Sequence, residues 1–243
     1  MIKNKISTND SEKDGQKSVL NRRLFLRSAG VATAVGTLAL GACKDDDDTV
    51  TPTTPATGTV DLGSGDVGIL NYAYALEQLE AAFYEQVVKT PYTGITAAET
   101  TILTDIRDHE VIHREFFKAA LTAAAPTQII PGLEVDFSKI DFTSRAAVLG
   151  AAKLFEDTGV AAYNGAGKFI KSADYLLLAG KIVSVEARHA AAISDLITPK
   201  TADFASDTQI DANGLDKATA SATILAAVQP YVKTKLSGAN LPK

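Results

Sequence analysis

The chain of 243 residues has one cysteine, one methionine and no tryptophan. A lone thiol cannot close an internal disulfide, so Cys43 calls for some explanation other than a covalent staple. The single methionine is Met1, so no thioether, a side chain readily damaged by oxidants, occurs beyond it. Cations are scarce as well. Seven of the 24 basic residues but only three of the 29 acidic ones precede Cys43, which turns a formal charge of -5 for the whole chain into -9 from Lys44 onward. A surface that acidic has no clustered Lys and Arg to neutralise a phosphate backbone, and this excludes nucleic acid as a partner. Long hydrophobic runs are missing too: the apolar stretch 31–42 has 12 residues, too few to cross a bilayer as a helix.

That short stretch has a different meaning. Arg22, Arg23 and Arg27 precede it, which is the layout of a signal peptide. Leu40-Gly41-Ala42-Cys43 resembles the lipobox of bacterial lipoproteins, in which the thiol is acylated and the cysteine becomes the mature N-terminus. Asn21-Arg22-Arg23-Leu24-Phe25-Leu26-Arg27 resembles a twin-arginine export signal, a route for proteins already folded and loaded with cofactor. Residues 1–43 are therefore expected to be a lipoprotein signal segment, with Cys43 as the lipidation site. The implied location is the bacterial cell envelope, on the periplasmic face or the cell surface, with the membrane as a partner through that lipid. Lys44 and the run Asp45 to Asp48 repel into an extended chain, and they also resemble surface-export signals found after a lipidated cysteine. Together with the Thr, Pro and Gly of 49–65 they make 44–65 a flexible tether.

From residue 66 the apolar residues recur at three- and four-residue spacing, so the fold class is all-α. Four long helices are predicted: Asp66 to Lys89; a second opened by the capping box Thr96-Ala97-Ala98-Glu99 and running to Ala124; a third from Thr143 or Ser144 to between Gly165 and Ile170; and a fourth from Ser172 to before Pro199. The first and third connections are short, which makes those neighbours antiparallel. The second, 125–142, reaches roughly 60 Å when extended, whereas a bundle helix of about 27 residues spans about 40 Å. It is long enough to cross the bundle and leave helices two and three parallel. The four-helix bundle thus occupies 66–198. The extension 199–243 packs on it, with a short helix around Ala222–Val228.

Glu110-Val111-Ile112-His113 and Glu186-Ala187-Arg188-His189 both read E-x-x-H, and three residues of helix set carboxylate and imidazole on one face. Both pairs lie in apolar stripes: Ile102, Ile106, Phe117 and Leu121 flank the first, and Leu178, Ile182, Ile193 and Leu196 the second. Glu77 and Glu156 occupy similar stripes on the other two helices, each followed seven residues later by a tyrosine, Tyr84 and Tyr163. The two halves read as a repeated hairpin about a rough twofold axis, which makes the six residues one site. Four carboxylates in an apolar core each cost several kcal/mol unless neutralised. Two divalent cations supply the balancing charge. Iron or manganese suits the set, and zinc accepts the same ligand types. Glu80, one turn from Glu77, is the alternative ligand on the first helix. His109 lies about 100° around its helix from Glu110, which suits the surface or a place behind the ligands better than ligation.

One glutamate from each of two helices plus Glu-x-x-His from each of the other two resembles the ferritin-like dimetal pattern. The segments 71–84 and 154–163 look most like the ferritin-like branch that includes desiccation-related proteins. The resemblance implies a ferritin-like four-helix bundle with a long crossover between helices two and three plus a short C-terminal helix. It implies Glu77, Glu110, His113, Glu156, Glu186 and His189 as ligands of two metal ions, iron first and manganese second. Tyr84 and Tyr163 become partners of the ligand carboxylates, candidates for a catalytic role. The expected activity is that of an oxidoreductase, ferroxidase-like or manganese-catalase-like, with a small oxidant or a metal ion as substrate. The alternative is a structural or desiccation-protective protein whose metals only brace the bundle.

Overall fold

The structure, a computed structural model, describes residues 58–243. The signal segment 1–43, its Cys43 and residues 44–57 of the tether lie outside the described residues. The fold is built on four long helices: α1 (Gly65–Lys89), α2 (Ala97–Ala124), α3 (Arg145–Gly167) and α4 (Ala173–Ile197). α1 pairs along α2 and α3 along α4, and the two hairpins meet through α1 against α3 and α2 against α4. A short helix, α5 (Ser221–Val228), packs on α3 and sinks Ile224, Leu225 and Val228 into the core.

Polar residues start these helices by occupying free backbone donors. Thr96 accepts from the Glu99 N–H at 3.2 Å while the Glu99 carboxylate accepts from the Thr96 N–H at 2.9 Å, a reciprocal capping box. Ser144 and Ser172 cap α3 and α4 through the N–H groups of Ala147 and Tyr175. Arg145 then ties one end of the bundle together. Its Nε donates to Glu99 at the start of α2, and another guanidinium nitrogen donates to the Leu196 carbonyl at the end of α4, both at 2.6 Å. At the other end Asp66 accepts the N–H groups of Lys171 and Ser172, both at 2.8 Å.

The crossover between α2 and α3 runs the length of α1. Near the start of α1, Asn71 donates to the Gln128 carbonyl and accepts from the Ile130 N–H. Two turns further on, Gln78 accepts from the Leu133 N–H at 2.9 Å. Phe137 and Phe142 then pack on Phe83, and beyond the end of α1 the Thr93 N–H reaches the Thr143 carbonyl. The crossover therefore returns the chain to the end where α2 began, and α2 and α3 are parallel. This covering explains why α1 is buried almost all round between Gly68 and Tyr84, whereas α2 buries one stripe: Glu99, Leu103, Ile106, Glu110, His113, Phe117 and Leu121.

One expectation is corrected. Residues 59–65 are not tether: β1 (Thr59–Asp61) pairs in parallel with β2 (Lys235–Ser237), and Leu62 is fully buried. Three residues are too few for strand alternation to register in sequence, and the partner strand lies at the far end of the chain.

Candidate metal centre

Each E-x-x-H pair sits inside an inward stripe at places that an apolar side chain would otherwise hold. On α2, Glu110 and His113 fall between Ile106 and Phe117; on α4, Glu186 and His189 fall between Ile182 and Ile193. The helices deliver them to the middle of the bundle, together with Glu77 from α1 and Glu156 from α3. All four carboxylates are fully buried, and both histidines are buried.

Their atoms are arranged with twofold regularity. His113 Nδ1 lies 2.8 Å from Glu186 Oε1, 3.4 Å from Glu77 Oε2 and 3.7 Å from Glu110 Oε2. His189 Nδ1 lies 2.8 Å from Glu110 Oε1, 3.5 Å from Glu156 Oε2 and 3.7 Å from Glu186 Oε2. Two groups result: Glu77, Glu110, Glu186 and His113, and Glu110, Glu156, Glu186 and His189, each with its donor atoms within 4.8 Å of one another. Glu110 and Glu186 belong to both and turn one oxygen to each histidine. The remaining oxygens of Glu77 and Glu156 face outward and are held by tyrosines: Tyr163 donates to Glu77, and Tyr84 donates to Glu156 at 2.5 Å. Each tyrosine serves the glutamate of the opposite hairpin.

The inward atoms do not satisfy one another. Six carboxylate oxygens and the two Nδ1 atoms are buried without a hydrogen-bond partner, although the shortest N···O separations are 2.8 Å. Distance is met there and alignment is not, so the atoms converge on common points rather than pair. Four oxygen- and nitrogen-donor atoms per point, three carboxylate and one imidazole, fit a hard or borderline divalent cation.

Electrostatics make the same point. Burial alone would lower the His189 pKa, but the facing carboxylates of Glu110, Glu156 and Glu186 outweigh it and hold the imidazolium up to about 12. The same balance pushes His113 well above its ordinary value through Glu110, Glu186 and Glu77. Burial raises Glu156 to about 7 against the pull of His189. Burial and then Glu186 push Glu110 well up, while Glu186 itself is held down to about 2 because the two histidines outweigh its burial. Two adjacent carboxylates cannot both ionise cheaply, so one carries the charge and its neighbour the proton.

Two further residues adjoin the centre. Glu80 is buried but lies outside both groups, with Oε2 unpartnered; Glu77 supplies the oxygen from α1. Gly159, three residues after Glu156, stands where the repeat would put a second copy of Glu80. A Cβ there would lie 2.9 Å from Glu80 Oε1, so the missing side chain makes room for that carboxyl. His109, exposed on α2, places its Nδ1 2.9 Å from Nε2 of His189. The helical angle that turns His109 away from Glu110 turns it toward α4, which spacing within one helix cannot disclose.

A bundle of four helices joined by a full-length crossover, with two E-x-x-H pairs and two further glutamates at its centre, defines a ferritin-like protein. The chain belongs to the Ferritin-like domain family, whose model matches residues 65–199, from the first residue of α1 to just past the end of α4. No curated protein matches it.

Proposed function

We propose that the protein is an exported redox protein that carries two iron or manganese ions in this centre and acts on dioxygen, peroxide or ferrous iron. One position would be held by Glu77, Glu110, Glu186 and His113, the other by Glu156, Glu110, Glu186 and His189. The observation that carries this reading is the set of eight buried donor atoms, split four and four, that find no hydrogen-bond partner within the protein. Ions of this kind each change valence by one electron, so a pair supplies the two-electron chemistry that an O–O bond requires. The chain's own contribution is to fix the donors. Tyr84 and Tyr163 hold the outer oxygens of Glu156 and Glu77, leaving the inner oxygens free for the ions. The apolar stripes above and below keep bulk water from the carboxylates.

Export and envelope anchoring rest on the lipobox-like Leu40-Gly41-Ala42-Cys43 and the twin-arginine-like Asn21–Arg27. An oxidant-facing role in stress protection accords with the near absence of Cys and Met from the mature chain. The test is to purify the protein, measure iron and manganese per chain, and follow ferrous oxidation and peroxide consumption. Two ions with turnover support the redox reading. Two ions with a large gain in stability and no turnover replace it with a bracing role, and a chain that takes up no ion removes both.

A further inference from the structure

The two hairpins match residue for residue through the ligands, so departures from the match mark where the two ion positions differ. One departure lies behind the histidines. His109 precedes Glu110 by one residue, and the corresponding residue before Glu186 is Val185, whose side chain has no hydrogen-bonding atom. His189 is therefore backed by an imidazole from the opposite hairpin, and the position that corresponds to His109 in the other hairpin carries a hydrocarbon side chain.

The contact has the geometry of an in-plane hydrogen bond. The His109 and His189 rings are inclined by only 9°, with centroids 5.2 Å apart. The centroid separation is the N···N distance of 2.9 Å plus the two ring radii, so the rings lie edge to edge in one plane rather than face to face. With Nδ1 of His189 turned to the carboxylates, its second nitrogen, Nε2, must carry the proton and donate it to Nδ1 of His109. A bond at the far nitrogen fixes which nitrogen is free to ligate and how the ring is turned.

We infer that His109 is a positioning residue that holds His189 in its ligating tautomer and orientation, making the ion position of Glu110, Glu156, Glu186 and His189 the tighter of two unequal sites. The inference rests on the dimetal reading above. His109 touches neither group of donor atoms and acts only through His189.

The experiment titrates Mn(II) into the metal-free full chain, followed by calorimetry and by the EPR signal of bound manganese. His113→Ala and His189→Ala identify which binding step belongs to which position. The native chain binds two ions in two resolved steps, the tighter one lost in His189→Ala. In His109→Phe that step weakens about 10- to 100-fold and the other is unchanged, while His109→Asn, which keeps an acceptor, recovers most of the loss. Far-UV circular dichroism of the metal-free variants checks that helix content is retained, as expected for an exposed position. Two native ions with a His109→Phe titration identical to the native one, or weakened equally at both steps, overturns the role of His109 alone. A native chain that binds no manganese overturns the dimetal reading together with it.

Discussion

Tyr84 on α1 donates its phenolic hydrogen to Glu156 on α3, although its own helix carries Glu77 two turns earlier. Tyr163 on α3 returns the arrangement to Glu77. The two hairpins are strapped together through the same carboxylates that face the centre, so packing of the bundle and positioning of the donors are one event. Phe83 and Phe155, which meet edge to face with centroids 5.1 Å apart, close the core beside the Tyr84 strap.

Removing one tyrosine hydroxyl separates these two roles. Tyr84→Phe leaves Glu156 Oε1 buried without its donor, at a cost of about 1–3 kcal/mol in thermal or denaturant unfolding. On the dimetal reading proposed above, binding at the position of Glu156 and His189 weakens about 10- to 100-fold while the other is spared, and Tyr163→Phe does the reverse. Metal titration of the two variants side by side reads the difference; equal loss at both steps in each variant would show that the tyrosines brace the bundle only.

The shared carboxylates predict a second asymmetry. Glu110 supplies an oxygen to each group and His189 to one, so Glu110→Ala should empty both positions and His189→Ala one. Metal content by mass spectrometry, with helix content by circular dichroism, checks this. Unchanged metal in Glu110→Ala contradicts the ligand assignment.

Acid should expel the ions. The facing carboxylates hold His189 up to about 12, so in the metal-free chain its imidazole is protonated throughout the neutral range, and that proton must leave before an ion binds. Apparent affinity therefore rises with pH, about tenfold per unit for each proton released. Calorimetry in buffers of different ionisation enthalpy counts the protons. In the ion-free chain the sign is opposite: a folded-state pKa above the unfolded 6.5 gives stability that is complete below 6.5 and drains away as pH rises toward about 12. The ion-free protein should thus melt earlier as pH increases through neutrality.

A second pH effect belongs to the end of the bundle. Burial works against the Glu99 carboxylate, but the Thr96 N–H and the Arg145 guanidinium outweigh it and hold its pKa down to about 2 from an ordinary 4.5. The unfolded chain takes up this proton first, so the stabilisation is present above 4.5 and is lost as pH falls toward 2. Glu99→Gln should flatten the acid limb of the stability profile in that window, measured by unfolding at a series of pH values; an unaltered limb rejects the assignment.

The helices were legible because their signals are local. The Thr96–Glu99 box, the Ser144 and Ser172 caps and the three- and four-residue apolar spacing depend only on neighbours in the chain, and each matches a helix start or face in the structure. The E-x-x-H pairs were legible for the same reason, since a helix fixes the relation of Glu110 to His113 whatever surrounds it. The Thr59–Asp61 strand was not, because its partner is at the other end of the chain and a three-residue pattern carries no period. Glu77 and Glu80 could not be separated by spacing, because both lie on buried surface of a helix that the crossover and α3 cover.

By itself the sequence determined four amphipathic helices, a connection long enough to make two of them parallel, and six ionisable residues in stripes that had to face inward. Tertiary structure decided what passes between helices: which oxygen of Glu110 and Glu186 faces which histidine, which tyrosine holds which glutamate, and that His109 reaches His189. The reason is geometric. A single helix sets the angle of a side chain about its own axis, but the neighbour it meets depends on how far the helices are shifted and rotated against one another, and only packing of the whole core settles that.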